Sequence, residues 1–473
     1  MVSSLQDKLE AGAALISIRP KRKTRVSTTA TLKRALLSAA GGAALLICDQ
    51  SAAWAACTPS AANSVTAICS GATTTQFGAG TETNGTITVN SGASLSITGA
   101  FAIKFGSLTA VNNSGTITAT PATNTNATAI YASTGAVTLN NATAASVTGT
   151  ASGTGAAYGV KAATSATVTN SGTGSVTATT NGGGQSTAVW AIDATVVNSG
   201  AGVISATGNA GGEAYGVYGG NTVTVSNNAS TSSITALTSG SDAYGVYGGN
   251  TATIASNAGT ISATSNGTGG PLASPHSLLA MVVVTSNTGS IIATANGSND
   301  ASGLYGYNSV TVTSNAGTIS ATGSTGTGYG VYAGGAATVT NATTGVITGD
   351  ASGGAGVGVT ADSASITNHG LISATGAYVY GVLTTGDATL TNDGHMTAAA
   401  SSGVGYGVYS GATATVTNTG VMETSAQDNA YGVSATTSNV TNSGSLTVTS
   451  TGGFLSIGVS GSNVTVINSG SPP

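Results

Sequence analysis

The chain has 473 residues, of which 71 are glycine, while only 5% are charged and 4% aromatic. This composition excludes an ordinary globular enzyme and leaves a fibrous, repetitive or disordered chain. Residues 1–55 carry a net charge of +5 and the remainder −9, with Lys104 and Lys161 the only Lys or Arg in that remainder, so no basic footprint exists there for nucleic acid or an anionic membrane.

At the N-terminus a basic cluster, Arg19, Lys21, Arg22, Lys23, Arg25, Lys33 and Arg34, precedes an apolar run of about thirteen residues, Ala35 to Ile47. That length suits a secretory signal and is too short to span a bilayer. Ala53-Trp54-Ala55 supplies an A-x-A cleavage site, so residues 1–55 are expected to be a signal peptide and the mature chain to start at Ala56. The long basic region is either a true extension or an early start codon. Neither Cys48 nor Cys57 has the flanking residues that lipidation requires.

Cys48 leaves with the signal, and the mature chain keeps Cys57 and Cys69, twelve apart with no histidine nearby. A disulfide is expected, as an oxidising compartment permits, within an N-terminal cap over residues 56–84.

From residue 85 onward a short phrase recurs: Val-Thr-Asn-Ser-Gly at 168–172, Ile-Thr-Asn-His-Gly at 366–370 and Val-Thr-Asn-Thr-Gly at 416–420, among fifteen copies. Marked by its asparagine, it falls at Asn90, Asn113, Asn141, Asn170, Asn198, Asn228, Asn257, Asn287, Asn315, Asn341, Asn368, Asn392, Asn418, Asn442 and Asn468, a mean interval of 27. A fixed period of this size signals a solenoid. Within a period, apolar and polar residues alternate, as at Val310, Val312, Ile319 and Ala321, which gives strands. A second phrase, Ala-Tyr-Gly-Val-Tyr at 214–218 and 243–247, adds a third strand to each period.

Three short strands and three turns in about 27 residues predict an all-β fold, a single-stranded right-handed parallel β-helix of about 14–15 coils. At about 4.8 Å per coil it would be roughly 70 Å long. The asparagines are expected to take the left-handed turn conformation and to align as hydrogen-bonded ladders. One coil departs from the rule: residues 269–283 replace the tyrosine phrase with a run that includes Pro271-Leu272-Ala273-Ser274-Pro275-His276, at unchanged length. A compensated pair of frameshifts or a projecting loop would each explain it, and both predict a local bulge.

The eleven acids after residue 55 are scattered singly. Glu213 and Asp242 occupy equivalent places one coil apart and read as solvated turn residues. His369 and His395 do not share a column and read as surface turn residues. No catalytic residue, metal or cofactor is expected. Four tyrosine pairs, Tyr215/Tyr218, Tyr244/Tyr247, Tyr329/Tyr332 and Tyr406/Tyr409, have a spacing of three, which in a regular strand places the partners on opposite faces. Their outer members would line up as an aromatic strip, either a packing ladder or a surface for a glycan or protein partner.

Tyr-Gly-Val-Tyr followed by Val-Thr-Asn-x-Gly and an Ile-x-Ala-Thr strand resembles the passenger repeats of autotransporters, the type V secretion proteins, over roughly residues 85–470. The resemblance implies Sec export, passage through the outer membrane, and a right-handed β-helix used in adhesion or other surface contact. Autotransporters end in a translocator barrel, which these 473 residues do not include, so a truncated passenger or a separately supplied barrel is expected. The alternatives are a secreted carbohydrate-active β-helix enzyme, whose clustered charges are missing, and a non-functional fragment confined to the periplasm.

Overall fold

A computed structural model of the chain describes residues 57–267 and 281–469, all within the compact unit Ala53–Pro473. The expected signal peptide and its cleavage site lie outside the described residues. Among the described residues there is no helix, and a parallel β-solenoid winds through about fourteen turns some 27 residues apart.

Each coil has three faces. The first is built from strands such as Ser175–Thr180, Ser233–Thr238 and Thr318–Gly323, which stack into a 15-stranded parallel sheet. Alternation decides which residues point inward: in Ser233–Thr238 Ile234 and Ala236 are buried while Ser233 and Thr235 are half-exposed. In register the inward positions form a column, Ile204, Ile234, Ile261, Ile291 and Ile319. Each contributes roughly 1.5–3 kcal/mol of burial, and the β-branched side chains fit the pleated surface.

The second face carries the Tyr-Gly-Val-Tyr phrase (Ala243–Gly248, Gly328–Ala333) and the third the Thr-Asn phrase (Thr251–Asn257, Ala336–Asn341). In several coils the two run on as one strand, as in Ala214–Asn227 and Gly405–Asn418, so both belong to one 26-stranded sheet. Coil length is not constant. Successive asparagines of the third face lie 28–30 residues apart from Asn113 to Asn315 and 24–27 apart from Asn315 to Asn442. The strands keep their register and the turns absorb the difference: four residues connect Asn170 to Ser175, and only two connect Asn368 to Leu371.

At the N-terminal end Cys57–Thr58 pairs antiparallel with Thr66–Cys69, and Cys57 is disulfide-bonded to Cys69. Thr66–Cys69 already pairs in parallel with Gly85–Val89, so the solenoid begins inside the expected cap and not at residue 85. Of the irregular coil expected at 269–283, only residues 281–283 are among those described. Residues 268–280 lie outside the described residues, but Met281–Val284 is a regular strand, in register with Thr251–Ile254 before it and Ser309–Val312 after it.

Candidate functional site

The asparagines of the third face, apart from the exposed Asn468, are buried. In most coils a Val, Ile or Leu two residues earlier also faces inward, whereas Asn257, Asn287 and Asn315 follow the inward Ile254, Val284 and Val312 by three, with one extra residue between. Fourteen of them, from Asn113 to Asn468, form one unbroken column. In each step Nδ2 donates to Oδ1 of the next coil at 2.7–3.0 Å. Asn170, Asn198, Asn257, Asn287, Asn315, Asn341, Asn368, Asn392, Asn418 and Asn442 all lie in it, and the same amides reach turn carbonyls, as Asn341 does to Gly345 and Leu371 at 3.1 Å each.

Two members were misassigned from the sequence. Asn227, not Asn228, joins the column, and Asn90 is exposed because Val89 takes the inward place opposite Asn113. Parity could have found both: Val225 and Val89 face inward, so residue 227 shares the inward set and residue 90 cannot.

The expected left-handed turn asparagine is also corrected. No column member has a positive φ. In the longer turns that conformation falls on Ala144 at +61°, Gly172 at +59° and Gly200 at +65°. In the shorter turns glycine serves a different need. A Cβ on Gly370, Gly394, Gly420 or Gly444 would collide with the carbonyl of the equivalent glycine one coil earlier, so the turns stack only without side chains there.

On the second face, Tyr215 and Tyr218 lie on the same side of the strand, in edge-to-face contact with centroids 5.2 Å apart. This overturns the opposite-face expectation. Gly216 and Val217 both face inward, Gly216 lying so close to Ile234 that a Cβ would crowd it, and two successive inward residues bring tyrosines three apart onto one side. Tyr244/Tyr247, Tyr329/Tyr332 and Tyr406/Tyr409 repeat this arrangement.

The tyrosines form two columns. Tyr215 stacks on Tyr244 (4.8 Å, 9°), and Tyr218 lies between Trp190 (5.8 Å, 2°) and Tyr247 (4.9 Å, 3°). Tyr305 stacks on Tyr332, and Tyr406 lies between Tyr380 and Tyr431. Trp190, Tyr305, Tyr380 and Tyr431 were not foreseen as members. The register of Tyr-Gly-Val-Tyr with Thr-Ala-Val-Trp at 187–190 was the signal that could have placed Trp190.

The expected continuous strip is corrected at Tyr409 and Tyr329. Tyr409 is in register with Leu383 on the coil before and Ser434 on the coil after, so contrary to expectation it has no ring above or below it and does not continue a column. It is half-buried and meets Tyr406 (5.2 Å) and Tyr380 (6.2 Å) edge-on instead. Tyr329 is likewise flanked in register by Ser302 and Val357. A strip requires an aromatic at the same position in successive coils, and the coils on either side of Tyr409 and of Tyr329 carry none there.

Lys161 lies over Tyr158 at 4.0 Å and Trp190 at 5.0 Å, a cation–π contact, and burial lowers its pKa. Where ring stacks on ring, the columns commit their faces to packing.

Glu213 and Asp242 are half-buried and bonded, not simply solvated. The Tyr215 hydroxyl donates to Glu213 at 2.9 Å, the Tyr244 hydroxyl to Asp242 at 3.2 Å, and Gln185 bridges Tyr158 to Glu213. Burial, then the neighbouring carboxylate, pushes both phenols far above the ordinary tyrosine range.

Other acids tie one coil to the next, though Glu82 does not. Asp193 accepts from Asn221 and from the hydroxyl and amide of Thr222, Asp300 from the Thr327 amide and Asp387 from the Thr413 amide. Asp350 and Asp362 accept from Thr375 and Thr385, and Glu82 takes the amides of Ala79, Gly80 and Thr81. The Thr222 hydroxyl, then the Asn221 amide, lowers the pKa of Asp193; at Glu82 desolvation raises the pKa, but the backbone amides of residues 79–82 together lower it below the ordinary value.

His369 pairs with Asp393 across one coil step at 2.6 Å and His395 with Glu423 at 3.3 Å, all four exposed. His395 opens the strand His395–Ala400 and is not a turn residue. Among the described residues no three of His, Cys, Asp and Glu come close enough to hold a metal ion.

Comparison of the chain with protein families, with curated sequences and with solved structures returned no match.

Proposed function

We propose that this chain is the exported passenger of an autotransporter-like system, a surface-displayed structural and interaction module and not an enzyme. The observation that carries the reading is the use of the carboxylates. Ten of the eleven acids after residue 55 hold a backbone amide, a hydroxyl or a histidine of the fold, which leaves Asp428, among the described residues, as the one acid without such a side-chain bond. A glycoside hydrolase needs two carboxyl groups converging on one bond, and here they are engaged in contacts within the fold, most of them from coil to coil. The signal-like residues 1–55 and the Cys57–Cys69 bond fit a route through an oxidising compartment. The partners of such a surface are a glycan or protein on a neighbouring cell and an outer-membrane translocator barrel.

Expression with a C-terminal tag in a Gram-negative host tests this reading. The chain should be recovered outside the cytoplasm, cleaved after Ala55, with Cys57 and Cys69 protected from alkylation. Deletion of residues 1–55 should hold it in the cytoplasm with both thiols reactive. With a translocator barrel fused after residue 473, protease added to intact cells should degrade the tagged solenoid. Full-length cytoplasmic protein with free thiols would sink the export reading, and resistance to protease despite the fused barrel would sink surface display.

A further inference from the structure

Among the tyrosines, Tyr307 stands apart from the columns. It is 71% exposed and makes no ring contact among the described residues. Its place in the coil makes it conspicuous: Tyr218-Gly219-Gly220-Asn221 and Tyr247-Gly248-Gly249-Asn250 are matched here by Tyr305-Gly306-Tyr307-Asn308, so a large ring occupies the position of Gly220 and Gly249. Gly306 is in register with Ala333, which sets Tyr307 and Asn308 beside Gly334 and Gly335 on the next coil. That glycine pair is enforced by stacking, since a Cβ on either would strike the carbonyl of Tyr307 or Asn308, and it leaves a floor of bare backbone.

The result is a shallow depression of about 390 Å³ bounded by Tyr307, Asn308, Tyr332, Gly334 and Gly335, within the size range of small-molecule sites. Two phenol rings, one amide and exposed backbone are the groups that recognise a sugar ring. The aromatic face takes the apolar C–H face, while amide, phenol hydroxyls and peptide groups take the sugar hydroxyls. None of the five residues is charged, so nothing there compensates a carboxylate, sulfate or phosphate on the ligand.

We infer that this depression is a binding site for a neutral pyranose, in which Tyr307 is the stacking platform and Asn308 the hydroxyl-reading group. The inference is independent of export or display, and it can fail while that reading stands.

Saturation-transfer difference NMR on the purified solenoid, with methyl α-mannopyranoside, methyl β-galactopyranoside, methyl N-acetyl-β-glucosaminide and methyl glucuronide as probes, tests it. At least one neutral glycoside should receive saturation from tyrosine ring protons. Tyr307→Ala should weaken that binding by roughly five- to tenfold, the loss of one aromatic contact, while Tyr307→Phe retains it and Asn308→Ala reduces it. Because Tyr307 and Asn308 are exposed, the variants should keep the wild-type melting curve, which separates a lost site from a lost fold. The proposal is overturned if no neutral glycoside is saturated, if Tyr307→Ala binds as wild type, or if the glucuronide binds as well as the neutral sugars. It is also overturned if a proline-rich peptide, and none of the sugars, shows Tyr307-dependent transfer, since the platform would then belong to a protein partner.

Discussion

Asn341 is fully buried, accepts from Asn315 and donates to Asn368, Gly345 and Leu371. Its replacement by alanine strands an amide on one side and a carbonyl on the other, so Asn341→Ala should lower stability by about 2–3 kcal/mol. Asn90→Ala, on an exposed asparagine of the same repeated phrase, should stay within about 0.5 kcal/mol of wild type. Urea midpoints decide the matter, and equal shifts for the two would refute the assignment of the column. The phrase was legible in the sequence, and parity with the preceding Val decides the sense of Asn90 and Asn227. Asn257, Asn287 and Asn315, however, lie three residues after the inward Ile254, Val284 and Val312 and face inward only because the strand slips by one residue there.

A second consequence at this scale concerns pH. Burial, then Glu213 or Asp242, raises the Tyr215 and Tyr244 pKa values above the ordinary 10.0. The unfolded chain would release these protons near that pH and the folded chain would not. Their contribution is therefore complete below about pH 10 and is lost as the pH rises above it. In an alkaline titration, part of the phenolate absorbance should appear only as the β-sheet circular dichroism collapses. Complete ionisation with the sheet signal intact would contradict the burial of these rings.

At the scale of the element, strands were predictable because polar and apolar residues alternate, and the alternation fails where the backbone departs from it. Gly216 is such a place: without a side chain it can face the core next to Val217, and the tyrosines on either side then meet. No rule of period two contains that step. The N-terminal cap is the element whose contribution can be isolated. Its Cys57–Cys69 bond closes a loop of about a dozen residues, worth roughly 3 kcal/mol in the chain-entropy model. The double substitution of Cys57 and Cys69 by serine should therefore speed hydrogen exchange in Cys57–Thr58, Thr66–Cys69 and Gly85–Val89, with little change beyond residue 200. Uniform acceleration along the chain would mean that the cap is not a separable unit.

For the whole solenoid, each coil touches mainly the coils on either side, so stability is close to a sum of coil and junction contributions. Removal of one complete repeat, residues 369–392, should bring Asn368 into step with Asn418 and leave a folded solenoid with a slightly lower melting temperature. Removal of twelve residues, 369–380, places the wrong face against each neighbour and should abolish the cooperative transition. If both deletions behave alike in thermal melts, the coil is not the structural unit. The period, the strand content and the approximate number of coils were legible because every coil meets the same steric demand. The site was not legible to the same degree: outward positions such as Tyr307 are free of that demand and leave no periodic trace. The asparagine column also has a direction. Every amide donates toward the C-terminal coils, so thirteen side-chain dipoles add head to tail. In an α-helix the same alignment of peptide units of about 3.5 D produces a macrodipole; here a β-structure acquires an axial polarity, positive toward its C-terminal end, and the solenoid should orient in an applied electric field.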